Sequence, residues 1–263
     1  MTDFQNSAMI SHGFMINTYN ESNLHATLKK LYALESNGTM EVKLDETQWI
    51  CDILCENNDV IEIQTANLSA LTEKAGYILE SGRKIKIVHP IAETKWIELY
   101  SSDGTLLHRK KSPKKGSLFD SLRGMTQICP LFLHENVTLE ILYCEISELR
   151  RETSEPSQNH TKTRRKLKNW LPLGKRLEKI IRKEIFKTKS DWKKLIPHNL
   201  QDKKDESEKM ISFRAIDFYR ATKDEYGTKK AKWSKLLIWI FLKMQILEVT
   251  EVKGRSKFYR VTQ

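Results

Sequence analysis

The sequence predicts an α/β protein, with a mixed-sheet core in the element order αβββαβ followed by a second, mostly helical domain. Three observations carry this reading. Short apolar, β-branched runs bounded by turn residues fill the first 150 positions. One stretch of helical spacing separates two of those runs, and beyond residue 175 the apolar spacing changes to threes and fours.

The elements follow in order. Leu24, Leu28 and Leu31 mark a helix over 20–34 with Asn20 available as a cap, and Met40–Leu44 is a short strand after Asn37-Gly38. Trp49–Cys55 and Val60–Thr65 read as a hairpin around Asn57-Asn58. Leu71, Ala75, Ile78 and Leu79 share one face of a helix over 68–80, which starts behind Asn67 and is stopped by Ser81-Gly82. Lys84–Ile91 is then a strand. It should run parallel to Val60–Thr65, because a strand, crossover helix and strand in one sheet form a right-handed unit. Lys95–Tyr100 and Thr105–His108 form a hairpin about Asp103-Gly104, Ser117–Leu133 a helix and Val137–Ile146 a long strand.

Residues 151–163 lack apolar periodicity and are rich in Ser, Thr, Glu and Asn, so 151–174 is expected to be a basic linker between domains at 1–150 and 175–263. Leu177, Ile180, Ile181 and Ile185 predict a helix, Asp191–Leu195 a short one, and Phe213–Thr222 another behind Ser212. A longer helix follows Gly227-Thr228, with Trp233, Leu236, Leu237, Ile240, Phe241 and Met244 at spacings of three and four. Leu247–Val252 and Lys257–Val261 flank a Lys253-Gly254 turn. Helices ending in such a hairpin suggest a winged helix.

At 263 residues the chain is long enough for about two domains. Its longest apolar run, Leu236–Leu242, is far shorter than the roughly 20 residues of a spanning helix, and no apolar block follows a basic start, so a cytoplasmic protein without a membrane partner is expected. Cys51, Cys55, Cys129 and Cys144 lie in apolar segments without paired zinc spacing and read as reduced core residues. The net charge of +11 is unevenly shared: residues 1–150 carry −5 and residues 151–263 carry +16. A basic half joined to an acidic one suggests nucleic acid held by one part and acted on or regulated by the other.

Asp52 and Glu62 stand out as carboxylates in apolar strand-like runs, because a half-buried acid must be paired, hydrogen-bonded or metal-bound. On adjacent strands they could hold a divalent cation. A two-residue loop at Asn57-Asn58 would set Asp52 opposite Ile63, on the other side of the sheet from Glu62 and Gln64, so a shared metal requires an odd loop or a bulge. The plainer reading is that Glu62 and Gln64 form the wet face of a strand.

With this element order, residues 20–91 resemble the core of the PD-(D/E)XK nuclease superfamily. That resemblance implies metal binding by Asp52 and Glu62 with Mg²⁺ or Mn²⁺, assistance from Glu21 on the first helix, and Gln64 at the position usually held by lysine. The run Glu21–Lys29 (E-x-x-L-H-x-x-L-K), Ile61–Thr65, and Val88-His89-Pro90-Ile91 with Lys95-Trp96 are also similar to an uncharacterised prokaryotic family ending in a winged-helix-like region. Glutamine can orient water by hydrogen bonding but supplies no charge. Lys86 and His89 could reach the same site as a relocated lysine and a proton acceptor, although a snorkelling lysine and a structural histidine are the commoner cases; His25 is a weaker candidate.

In the C-terminal half, Lys229, Lys230, Lys232 and Lys235 cluster at the start of a helix whose other face is apolar, and Lys253, Arg255 and Lys257 surround Gly254. With Arg164 and Arg165 of the linker, these residues suit phosphate contact. The expectation is a metal-dependent DNA endonuclease holding substrate on its winged helix. The alternative is a noncatalytic DNA-binding regulator with a degenerate nuclease-like domain.

Overall fold

A computed structural model describes residues 23–45, 47–157, 168–201 and 212–262. The chain is mixed α/β. The described residues open with α1 (Asn23–Ser36), β1 (Thr39–Lys43), β2 (Ile50–Leu54), β3 (Val60–Ile63), a 3₁₀ turn at Leu68–Leu71, α2 (Thr72–Glu80) and β4 (Ile85–Tyr100). Next come β5 (Leu106–Lys111), α3 (Leu118–Ser121), β6 (Val137–Ser157) and β7 (Lys168–Phe186). The strands form a sheet ordered β1-β2-β3-β4-β6-β7, with β5 on the distal half of β4. β3, β4 and β6 are parallel and the other pairings antiparallel, so β4 runs parallel to β3 as expected.

Helices cover the two faces of the proximal sheet. Leu24, Leu28 and Tyr32 of α1 recur every fourth residue and pack with Ile53, Ile61, Ile63, Val88, Leu142 and Cys144 on one face. Ala75 and Ile78 of α2 pack with Cys51, Val60, Ile85, Ile87 and Leu139 on the other. The distal halves of β4 and β6, with β5 and the start of β7, extend beyond both helices; β5 is exposed along its whole length.

Three sequence expectations are corrected here. The helix expected over 175–185 is β7. Its register against β6 shifts between Tyr143/Cys144 and between Glu145/Ile146, skipping Ile181 and Glu178. Each bulge reverses the in-out alternation, so Leu177 and Ile180, three apart, pack on the same core, and a period of two is disguised as a helical one. The linker expected at 151–174 overlaps the paired ends of β6 and β7, which places the boundary inside the sheet. Residues 151–155 and 168–174 are exposed or half-buried, with none in the core, so these strand ends need no apolar alternation and their polarity read as a linker. The helix expected over Ser117–Leu133 is one turn of α3 followed by 3₁₀ turns at Leu122–Met125 and Cys129–Leu133, with Pro130 at the start of the last.

The remainder comprises α4 (Lys189–Lys193), α5 (His198–Gln201), β8 (Phe213–Arg214), α6 (Ala215–Tyr226), α7 (Thr228–Ala231), α8 (Ser234–Lys243), β9 (Leu247–Lys253) and β10 (Ser256–Val261). Thr188 and Asp191 form a capping box on α4. Gly227, at φ 85°, turns the chain from α6 into α7. The three short strands make an antiparallel sheet ordered β8-β10-β9. This C-terminal part shares a core with the first: Trp192 stacks on Phe132 at 5.2 Å and lies 4.7 Å from Phe186. Among the described residues no helix is long and apolar enough to cross a membrane.

Candidate functional site

The acids expected at the site lie where β2 and β3 meet. Ile53 faces Ile61 and Leu54 faces Val60, so the loop Cys55–Asp59 brings Asp52 level with Glu62 rather than with Ile63. The two side chains nevertheless take different directions. At Asp52 the ladder to β1 is interrupted: Met40 pairs with Ile53 and Val42 with Cys51, while Glu41 between them has φ 56°. Cys51 therefore packs on the α2 face and Ile53 on the α1 face, with the irregularity falling on Asp52.

Asp52 meets α1. Its Oδ2 lies 3.3 Å from His25 Nε2 and accepts the Ile63 backbone N–H at 2.8 Å, and its Oδ1 is 3.8 Å from Lys29 Nζ. Lys29, itself buried, also bonds Glu41 at 2.7 Å. Glu62 meets α2 instead. Its Oε1 is 2.6 Å from Lys74 Nζ and accepts the Asp52 backbone N–H at 3.2 Å, and Lys74 also donates to the Ile50 carbonyl at 2.6 Å.

The environments push the two pKa values apart. Burial pushes the Glu62 carboxyl up to about 7, against the pull of Lys74 and with a further push from Asp52. Burial also acts upward on Asp52, but hydrogen bonds from His25 and the Ile63 amide outweigh it and hold the group below its ordinary value.

The other expected residues disperse. Gln64 accepts the Ala66 backbone N–H at 3.4 Å through its side chain, and this bond ties it to the loop after β3. His89 is buried, with Nδ1 2.5 Å from the Gln64 carbonyl and Nε2 2.9 Å from Ser121 Oγ. Lys86 lines a separate cleft with Ser36, Cys55 and Asn57, at the other end of β3. Glu21 lies outside the described residues. Mg²⁺ prefers an octahedron of oxygens, and the arrangement does not fit one shared ion: the two carboxylates feel each other's charge, but their oxygens already take His25, Lys29, Lys74 and backbone amides. Among the described residues there is no group of three or more His, Cys, Asp and Glu side chains placed to hold a metal. Lys29 and Lys74 were missed in the sequence. The available signals were Lys29 four residues after His25 and Lys74 one residue before the core position Ala75.

A second site is basic. Arg214, Lys232, Lys235, Arg255 and Lys257 line a groove of about 870 Å³ between the start of α6, the α7–α8 junction and the β9–β10 turn, together with Tyr219 and Tyr259. No carboxylate lines it; Asp217, which bonds Arg214 at 3.1 Å, is the nearby counter-charge. Trp239 is 40% exposed, between Lys235 and Lys243 along α8, and Lys243 Nζ lies 5.6 Å from its ring centre. Four of the expected basic residues thus converge: Lys232, Lys235, Arg255 and Lys257. Lys229 is exposed on α7 away from the groove lining, and Lys230 turns toward the rings of Phe119 and Tyr226. Lys253 pairs with Glu251 at 3.0 Å. Arg164 and Arg165 lie outside the described residues. The sequence reading missed Arg214 and Trp239.

Residues 22–187 match the family described as Domain of unknown function (DUF8091), and the chain belongs to that family. The match ends one residue after β7, so it spans the large sheet and stops before the C-terminal helices. The chain is 32% identical over 128 residues to a protein of Treponema pallidum (strain Nichols) described as "Uncharacterized protein". That stretch is 49% of each chain, so the chain spans about half the length of this relative. No solved structure matches.

Proposed function

We propose that this member of the DUF8091 family binds duplex DNA through the groove formed by Arg214, Lys232, Lys235, Arg255 and Lys257, and that its sheet domain is a noncatalytic scaffold related to the PD-(D/E)XK core. The single observation that carries the reading is the convergence of five cations, from three separate elements, on one groove without a lining carboxylate. Phosphate contacts dominate nucleic-acid affinity, and such a groove supplies them, with Tyr219 and Tyr259 as the aromatic residues of its lining. The order β8-α6-α7-α8-β9-β10 and the sheet β8-β10-β9 support a winged helix. The order α1-β1-β2-β3-α2-β4 supports the nuclease-like ancestry. Engagement of Asp52 and Glu62 by His25, Lys29 and Lys74 supports a structural role for the acids.

A second reading, divalent-metal-dependent DNA cleavage, is favoured by Lys74, which brings to Glu62 the positive charge that Gln64 lacks. One experiment separates the two. Anisotropy of a labelled duplex against salt should give log K falling with log[salt] at a slope of about −3 to −5, for roughly four or five phosphates. The same duplex, incubated with Mg²⁺ or Mn²⁺, should stay intact. Cleavage lost in Glu62→Ala would favour the second reading, and absence of salt-dependent binding would remove the first.

A further inference from the structure

His89 and Ser121 form a hydrogen-bonded pair that DNA binding does not use. His89 comes from β4 and Ser121 from the end of α3, 32 positions apart, and Nε2 lies 2.9 Å from Oγ. On the other side of the ring, Nδ1 is 2.5 Å from the Gln64 carbonyl oxygen. A carbonyl can only accept, so this bond places the proton on Nδ1 and leaves Nε2 to accept the serine proton. Burial pushes the His89 pKa down, which keeps the ring neutral near pH 7, and the Gln64 carbonyl supports the cation when it forms.

The pair opens into a shallow, solvent-open depression. His89 and Ser121 line a space of about 260 Å³ with Thr65, Gly116, Ser117 and Gly124, where the chain leaves β3. No Lys or Arg lines it, and its one ionisable acid, Asp120, is engaged by Ser117 through Oδ2 and by Trp233 through Oδ1. The depression suits a small neutral group better than a phosphate.

We propose that Ser121 is a nucleophile and His89 its general base, in a serine-esterase-like site that takes short neutral acyl esters, with the Gln64 carbonyl orienting the imidazole. Nucleophile, base and orienting group stand in the order such catalysis needs. As Ser121 Oγ bonds to the acyl carbon, its proton passes to His89 Nε2. The ester C–O bond then breaks, and the alcohol leaves with that proton. Water, deprotonated by His89 Nε2, then adds to the acyl carbon; the bond from that carbon to Ser121 Oγ breaks, His89 returns the proton to Oγ, and the carboxylic acid leaves with both residues restored.

The test uses the full chain and a small fluorophosphonate, followed by peptide mass mapping and by p-nitrophenyl acetate hydrolysis. The expected result is a stoichiometric adduct on Ser121, absent in Ser121→Ala and formed at least about a hundredfold more slowly in His89→Gln. Turnover of the acetate ester should fall in parallel. An unmodified Ser121, or equal modification in folded wild type and His89→Gln, overturns the proposal. Should His89→Gln fail to fold, the wild type decides alone: modification of Ser121 well above that of the other serines supports the site, and an even distribution overturns it.

Discussion

The acidic junction of β2 and β3 and the basic groove of the C-terminal part are both dense in charge, and they differ in where the opposite charge comes from. At the junction each carboxylate meets a cation of its own chain: Asp52 has Lys29 at 3.8 Å, beside the His25 ring, and Glu62 has Lys74 at 2.6 Å. In the groove, five cations share a lining without a carboxylate; Arg214 is held by Asp217 beside it, and the contrast rests on Lys232, Lys235, Arg255 and Lys257. Internally compensated charge fixes a structure, whereas uncompensated like charge is poised for an external partner. Density of titratable residues alone does not distinguish them.

The largest effect should come from uncoupling the compensated pair. Above pH 7, where the Glu62 carboxyl is ionised, Lys74→Met leaves it buried without its cation, and breaking a buried pair from one side costs about 3–5 kcal/mol. Chemical denaturation should show a loss of that order, with recovery when Glu62→Leu is added to Lys74→Met, since an apolar pair of similar volume removes both charges together. An unchanged midpoint in Lys74→Met would place the pair in solvent and erase the contrast.

Neutralising the groove should act on binding and leave folding alone. Replacing Lys232, Lys235, Arg255 and Lys257 by Ala should weaken duplex affinity on the order of a hundredfold at moderate salt and reduce the salt slope by about four. The melting temperature should hold or rise, because like charges are being removed. A slope that does not change would move the DNA elsewhere on the chain.

A smaller effect, of opposite sign at the two carboxylates, should appear with pH. Glu62 is raised to about 7 in the folded chain, so the folded state holds its proton more tightly than the unfolded state; its stabilising contribution is full below the ordinary glutamate range and is lost as pH rises toward 7. Asp52 is depressed, so its contribution is present above the ordinary aspartate range and is lost as pH falls through its folded value. Denaturation midpoints compared between pH 5 and pH 7.5 should fall more in wild type than in Glu62→Gln, by about 1 kcal/mol or more. Equal falls would assign the change to other groups.

Much of the fold was legible because its signals are local. The Asn67 cap, the apolar face of Ala75 and Ile78 and the β-branched run after Gly82 each fix one element within a few residues, and right-handed crossover fixes the parallel pairing. The failures came from information that is not local. Bulges against β6 altered the apolar period of β7, and an uncovered sheet arm looked like a linker. At the candidate site, the acids were visible as polar residues in apolar strands, but their neutralisers were not. Lys29 and Lys74 are 23 and 12 positions away, on helices of opposite faces, and their pattern alone does not say which acid each will meet. The groove was half visible: the α7–α8 and hairpin lysines cluster in sequence, while Arg214 joins them only through the pairing of β8 with β10.

The smallest effect should belong to Gln64, the residue that the proposed nuclease-like ancestry would set in place of a lysine. Its side chain makes one long bond, 3.4 Å to the Ala66 amide, within an exposed loop. Gln64→Ala should therefore change stability by no more than about 0.5 kcal/mol and leave DNA affinity as it was. Its backbone carbonyl, which holds His89, is untouched by the substitution. Gln64→Lys sharpens the comparison, because it adds a cation two positions after Glu62, just past the end of β3, near an acid that already has one. If the junction is fully compensated, the new lysine finds no unmet charge, and neither Mg²⁺-dependent cleavage nor a shift in the denaturation midpoint should follow. Cleavage gained in Gln64→Lys and abolished again in Gln64→Lys with Glu62→Ala would mean that the acids remain able to take a metal when the balance of charge changes, and that the junction differs from the groove only in degree.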